Sequence, residues 1–175
     1  MRVREARAQD FPAITAINAH HVLTGLATFE IEPPDEAEMR RRHAEVLARG
    51  LPYMVADRDG AVLGYAYAAP YRTRPAYRFT VEDSGYGERS RFGQGVGKTL
   101  LSALVSACTQ AGCRQMIAVI GDSANAASIG LHERCGFARV GLLPSTGFKF
   151  GGWADSVLMQ RAIGEGDATL PGEDE

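Results

Sequence analysis

Apolar residues recur along this chain at two spacings, one suited to strands and one to helices. Residues 3–6 alternate weakly and predict a first strand. Phe11, Ile14, Ile17 and His21 then follow at helical spacing behind Asp10, a candidate N-cap. Pro33 and Pro34 break the chain, and 35–50 reads as a second helix with Met39, His43, Val46 and Leu47 available for burial and Gly50 as its stop. Strands at 53–56 and 62–69 are joined through Asp59 and Gly60, a pair that supplies the positive φ of a tight hairpin. Residues 70–76, with two prolines and two arginines, are irregular at least in part.

The second half begins with a strand at about 79–86. A glycine-rich segment, Gly93, Gln94, Gly95, Val96 and Gly97, then opens a helix with Val96, Leu100, Leu101, Leu104, Val105 and Cys108 on one face. A strand at 116–120, a helix at 124–134 stopped by Gly136, and strands at 138–143 and 156–160 complete the pattern. Mixed hairpins and crossovers give an α/β or α+β sheet flanked by helices. From Gly164 onward there are five acids, three glycines, a proline and almost nothing apolar, which predicts a flexible acidic tail over 164–175 after one domain at 1–163.

Composition narrows the function. With 175 residues, 45% hydrophobic and 23% charged, the chain suits one buried core. The net charge is −2, and the run Arg40, Arg41, Arg42 lies among Glu36, Glu38 and Glu45 as a solvated helix face, so no nucleic-acid footprint is expected. Three cysteines without metal-ligand spacing suggest neither a disulfide framework nor a metal site. The N-terminus is charged from its second residue and leads into no apolar run, so a cytoplasmic protein with no membrane span is expected.

Closely spaced glycines ahead of a helix let backbone N–H groups converge on an anion, and the helix N-terminus adds roughly half a positive charge. The same glycines also suit a plain turn before a core helix. A P-loop fails because its first glycine falls on Phe92, and a dinucleotide fingerprint fails because Lys98 and Leu100 stand where glycine is required. The segment resembles instead the pyrophosphate loop of the GNAT superfamily of acetyltransferases through Gly95, Gly97 and Lys98, with Phe92 in place of the usual Gln or Arg. Asn125, Ser128, Leu131, His132, Gly136 and Phe137 match NxxSxxLHxxxGF, the pattern of the helix along the pantetheine arm of that family. More narrowly, AYRFTVEDS at 76–84, AVIG at 118–121 and GFKFGGWADSV at 147–157 are similar to the phosphinothricin and methionine-sulfoximine acetyltransferase branch.

The resemblance implies a GNAT fold, with a mixed, mostly antiparallel sheet of about seven strands flanked by about four helices. It implies acetyl-CoA as cosubstrate, no metal, a small amino-acid-like acceptor and a homodimer. It makes Glu82 the general base acting through water, and His132 or Tyr86 the proton donor to the departing thiolate. Coenzyme A would be held by Gly85, Tyr86 and Gly87 on the strand, by Phe92, Gly93, Gln94, Gly95, Val96, Gly97 and Lys98 in the loop, and by Asn125 and Ser128. Phe29, Arg72, Arg74, Tyr77, Ser84 and Lys149 would form the acceptor pocket, the basic groups gripping its anionic end. Each assignment has a plainer counterpart: Asn125 as an N-cap, His132 as a core histidine, Glu82 as a strand-end acid, the basic residues as surface charges. Three functions compete at this point: amine acetylation, an acyl-CoA sensor of the same fold, and nucleotide-dependent phosphotransfer through Gly97, Lys98 and Thr99.

Overall fold

The computed structural model describes residues 1–88 and 93–172, and both termini of the sheet lie within them. Seven strands form one sheet in the order β1-β2-β3-β4-β5-β7-β6. They are β1 (Arg2–Glu5), β2 (Tyr53–Arg58), β3 (Ala61–Pro70), β4 (Thr80–Gly87), β5 (Gln115–Gly121), β6 (Ala138–Lys149) and β7 (Gly152–Ala162). Only β4 and β5 run parallel, because helix α3 (Val96–Gln110) carries the chain across between them; the other pairings are antiparallel. The remaining helices are α1 (Phe11–Thr24), α2 (Glu36–Ala48) and α4 (Ala126–Arg134).

Local chemistry explains most boundaries. Asp59 and Gly60 both take positive φ in the β2–β3 turn, as the Asp-Gly pair predicts, and Asp57 accepts from Gly60 N at 3.1 Å. Asp35 caps α2 by accepting from Glu38 N at 2.8 Å, and Arg40, Arg41 and Arg42 pair with Glu36, Glu38, Glu45 and Glu30 on its solvated face. The core lies on both faces of β2, β3 and β4. Phe11, Ile14 and Ile17 cover one side, and Leu100, Leu101, Leu104 and Cys108 cover the other.

Two expectations change. Asp10 does not cap α1 with its side chain; it is buried, accepts from Arg7 N at 2.7 Å within a short 3-10 turn, and binds the Arg4 guanidinium at 2.7 Å. The last two strands are about twice the expected length and form a hairpin closed by Phe150 and Gly151, both at positive φ. Residues 164–169, in the stretch expected to be a flexible tail, form turns and bends. Gly166 N bonds Ile163 O, Ala168 N bonds Glu165 O, and Arg114 donates to Thr169 Oγ1 at 3.0 Å.

Candidate active site

Strands β4 and β5 pair only over Thr80–Asp83 against Gln115–Ala118. Beyond Asp83, β4 continues on β3 alone and β5 continues on β7 alone. The strands therefore part, and the opening is a cleft of about 800 Å³ bounded by α3, α4 and the loop that follows α1. Tyr71 N bonds Thr80 O and Glu88 N bonds Leu63 O, which sets the alternation along β4. Asp83, Gly85 and Gly87 accordingly turn their peptide groups away from β3. Asp83 meets β5, Gly87 O accepts from His21 Nε2 at 2.8 Å, and Gly85 lines the cleft with its peptide groups turned into it.

At one end of the cleft α3 begins. Gly93 and Gly95 sit in the left-handed region at φ 81° and 78°, and Gly95 as N-cap offers no side chain to the helix. Thr99 N makes the first bond back to Gly95 O, so the N–H groups of Val96, Gly97 and Lys98 have no acceptor within the helix. Their dipoles and Lys98 make this end of the cleft attractive to a diphosphate. Gly97 packs closely on α4: a Cβ there would lie 3.0 Å from Leu131 Cδ2, so that side chain would have to give by a few tenths of an ångström. Gln94 is held outside the cleft by Arg58, whose Nη1 donates to its Oε1 at 3.0 Å. Phe92 lies outside the described residues.

The titratable groups gather where the strands part. Register pairs Ala69 with Glu82, Tyr67 with Ser84 and Tyr65 with Tyr86, so Glu82, Ser84 and Tyr86 share one face of the sheet. All three line the cleft. Burial, reinforced by the neighbouring Asp83 charge and opposed by Arg72, pushes the Glu82 carboxyl up. Burial also raises the Tyr86 phenol, which bonds the Thr28 side chain. On the opposite face, Asp83 Oδ2 stands 3.1 Å from His132 Nε2, and His132 Nδ1 stands 2.8 Å from Ser128 O. Burial pulls His132 down, but the Asp83 hydrogen bond, the Asp83 charge and the Ser128 carbonyl together outweigh it and the net shift is upward. Asn125 does cap α4, accepting from Ser128 N at 3.1 Å, while both residues line the cleft.

The expected acceptor residues divide. Phe29 lines the cleft, its ring packed on Gly147 and near Gly121. Arg72, Arg74 and Tyr77 are exposed on the segment between β3 and β4 and stand outside the cleft wall, with Arg72 over the Tyr71 ring at 4.7 Å and Tyr77 edge-on to it. Lys149 is buried and does not line the cleft; its Nζ donates to Gly25 O and Thr28 O, each at 2.8 Å. It clamps the loop that carries Thr28 and Phe29. Sequence reasoning passed over Asp83, His21, Thr28 and Arg134, all of which line the cleft. Asp83 and Thr28 carried a signal, being neighbours of Glu82 and Phe29. Among the described residues no cluster of metal-ligating side chains occurs, and no helix is long and apolar enough to cross a membrane.

Residues 14–137 match the model of the acetyltransferase (GNAT) family. The chain is 60% identical to phosphinothricin N-acetyltransferase of Alcaligenes faecalis, over 97% of its own length and 86% of that protein's. It is 40% identical to the L-methionine sulfoximine/L-methionine sulfone acetyltransferase of Pseudomonas aeruginosa, over 90% and 92%. The crystal structure of a phosphinothricin acetyltransferase from Sinorhizobium meliloti in complex with acetyl-CoA superposes with a TM-score of 0.95 at 52% identity, covering 98% of this chain and 93% of that one.

Proposed function

This chain belongs to the GNAT acetyltransferase family, and from that premise we propose that it acetylates the α-amino group of a small amino-acid-like acceptor of the phosphinothricin or methionine sulfoximine type, using acetyl-CoA. The observation that carries this reading is the parting of β4 from β5 beside the glycine-led N-terminus of α3. A diphosphate sits on the Val96, Gly97 and Lys98 amides, and the pantetheine arm follows the free edge of β4 past Gly85. That route delivers the thioester between Glu82 and His132.

Transfer needs a free-base amine, stabilised negative charge on the carbonyl oxygen and a proton for sulfur. Glu82, raised by burial, accepts the amine proton directly or through water. Peptide N–H groups at the free edge of β4 polarise the carbonyl. His132 supplies the thiol proton, while Tyr86 and its Thr28 partner fix the wall opposite. Arg72 is close enough to Glu82 to act on its charge, and with Arg74 on the same exposed segment it attracts an anionic acceptor. The acyl-CoA sensor is not favoured, since the relatives that cover nearly all of this chain are named for acetyl transfer.

We also infer a homodimer, from exposed Val140, Leu142, Leu143, Phe148, Phe150 and Trp153 along the edge strand and its hairpin, and place it in the cytoplasm, where buried thiols such as Cys108 and Cys113 stay reduced. The deciding experiment is an acceptor screen with acetyl-CoA over phosphinothricin, methionine sulfoximine, methionine sulfone and the common amino acids, read by thiol release and by mass. Gain of one acetyl on the α-nitrogen is expected, with Glu82→Gln reducing kcat about 100-fold or more while acetyl-CoA still binds. Turnover unchanged in that variant would remove Glu82 from the mechanism.

A further inference from the structure

Both ring nitrogens of His132 face acceptors. Nδ1 is 2.8 Å from the Ser128 carbonyl oxygen, which has no proton to give, so Nδ1 carries one. Nε2 is 3.1 Å from Asp83 Oδ2, and that contact requires a proton between the two atoms. Histidine and aspartate together thus hold one proton more than a neutral imidazole beside a carboxylate. Their side chains are only 8% and 7% exposed, yet both residues line the cleft. Phe137 packs edge-on against the ring at 5.1 Å and keeps water from that side.

We propose that Asp83 is a positioning residue that keeps His132 charged, and that this couple stores the proton taken up by the coenzyme A sulfur when the thioester breaks. The inference rests on the acetyl-transfer reading above. Without Asp83, a neutral His132 would carry a proton on Nδ1 alone, committed to the Ser128 carbonyl, and the site would hold no second proton to give. With Asp83, the proton at Nε2 is held in place until a stronger base arrives. As the tetrahedral intermediate collapses, the C–S bond breaks, sulfur keeps the electron pair, and the couple's extra proton forms the S–H bond. Glu82 has meanwhile gained the proton lost by the amine, so one proton leaves nitrogen, one reaches sulfur, and exchange with solvent resets both groups.

The surroundings suit this role. Asp83 is the charged group acting on the ring. Its charge also adds to the burial that raises the neighbouring Glu82 carboxyl, keeping that group neutral more readily. Among the described residues Asp83 Oδ1 is buried without a hydrogen-bond partner, and His132 is the group that anchors the carboxylate through Oδ2.

The test combines a spectroscopic titration with kinetics. In the unliganded full-length protein, ¹⁵N NMR of the histidine ring should find both nitrogens of His132 protonated at pH 7, with the ring losing its proton above the ordinary value of about 6.5. Asp83→Asn keeps the shape and offers an N–H to Nε2, so His132 should become neutral and titrate below that value. With acetyl-CoA and the best acceptor, kcat in D83N should fall about 10- to 100-fold while both KM values stay within about two-fold. The alkaline limb of the pH–rate profile, set in the wild type by loss of the His132 proton, should move to lower pH. Adding H132Q to D83N should cost little more than either change alone. A His132 that is neutral at pH 7 in the wild type overturns the proposal, whether or not D83N folds, and so does a D83N enzyme with wild-type kcat. Because the titration needs no substrate, failure to acetylate any amine would count against the acetyl-transfer reading and not against the couple.

Discussion

Gly121 and Gly147 both touch the loop that follows α1, but in ways that separate backbone from side chain. A Cβ at Gly121 would lie 2.1 Å from the Leu26 carbonyl oxygen and 3.1 Å from Phe29 Cε1; one at Gly147 would lie 2.5 Å from the Phe29 ring; one at Gly152 would meet nothing within 4 Å. A carbonyl cannot rotate aside, so Gly121→Ala must push the loop back by about 1 Å to restore an ordinary contact. Lys149 and the Thr28–Tyr86 contact tie that loop to the cleft, so Thr28 and Phe29 move with it. Overpacking of this kind costs about 1–3 kcal/mol, or a fall in Tm of about 2–12 °C for a chain of this size. A 1 Å displacement of a pocket wall costs about 100-fold in kcat/KM. In Gly147→Ala the ring can swing away for about 0.5–1.5 kcal/mol, leaving stability nearly intact while the acceptor KM rises. Gly152→Ala is the control, expected within about 0.5 kcal/mol of the parent. Thermal melts and thiol release, with acceptor varied at saturating acetyl-CoA, distinguish the three. The reasoning fails if G121A melts and turns over like the parent, or if G152A is as damaging.

Other consequences are simpler. Lys149→Met removes both clamps on the loop and should raise the acceptor KM about ten-fold, with the acetyl-CoA KM unchanged in initial-rate measurements. Arg72 lowers the raised Glu82 carboxyl, so Arg72→Ala should shift the acid limb of kcat/KM to higher pH, since the base must lose its proton to work. Arg4 holds Asp10 and Asp57 below the usual carboxylate range. Its contribution is present above about pH 4 and fades as pH falls through the depressed values. Arg4→Met should therefore lower Tm by several degrees at pH 7 and by less at pH 3 in parallel melts.

The parts of this fold and site that could be read from the chain are those in which cause and effect lie close together in sequence. Gly95 ahead of Val96, Asn125 ahead of Ser128, and Asp59 with Gly60 each shape the backbone within three residues, so their spacing carries the information. Lys149 shows where that ends. Its motif implies a substrate contact, yet its amine reaches back 121 and 124 residues to two loop carbonyls. The reason lies in β6, where the register against β7 shifts between Leu143 and Gly147, with Ser145 at φ 54° and its N–H held by Asp155 Oδ1. Such an irregularity resets which face alternate residues serve, and Gly147 and Lys149 are the buried pair that follows it. A periodicity count could not locate that bulge, where a carboxylate ten residues away on the partner strand holds the Ser145 N–H. Asp83 is the opposite case. Strand alternation alone puts neighbours on opposite faces, so a base at Glu82 already implied a second acid aimed at whatever α4 presents. NxxSxxLH places a histidine there, and the two readings needed only to be laid side by side.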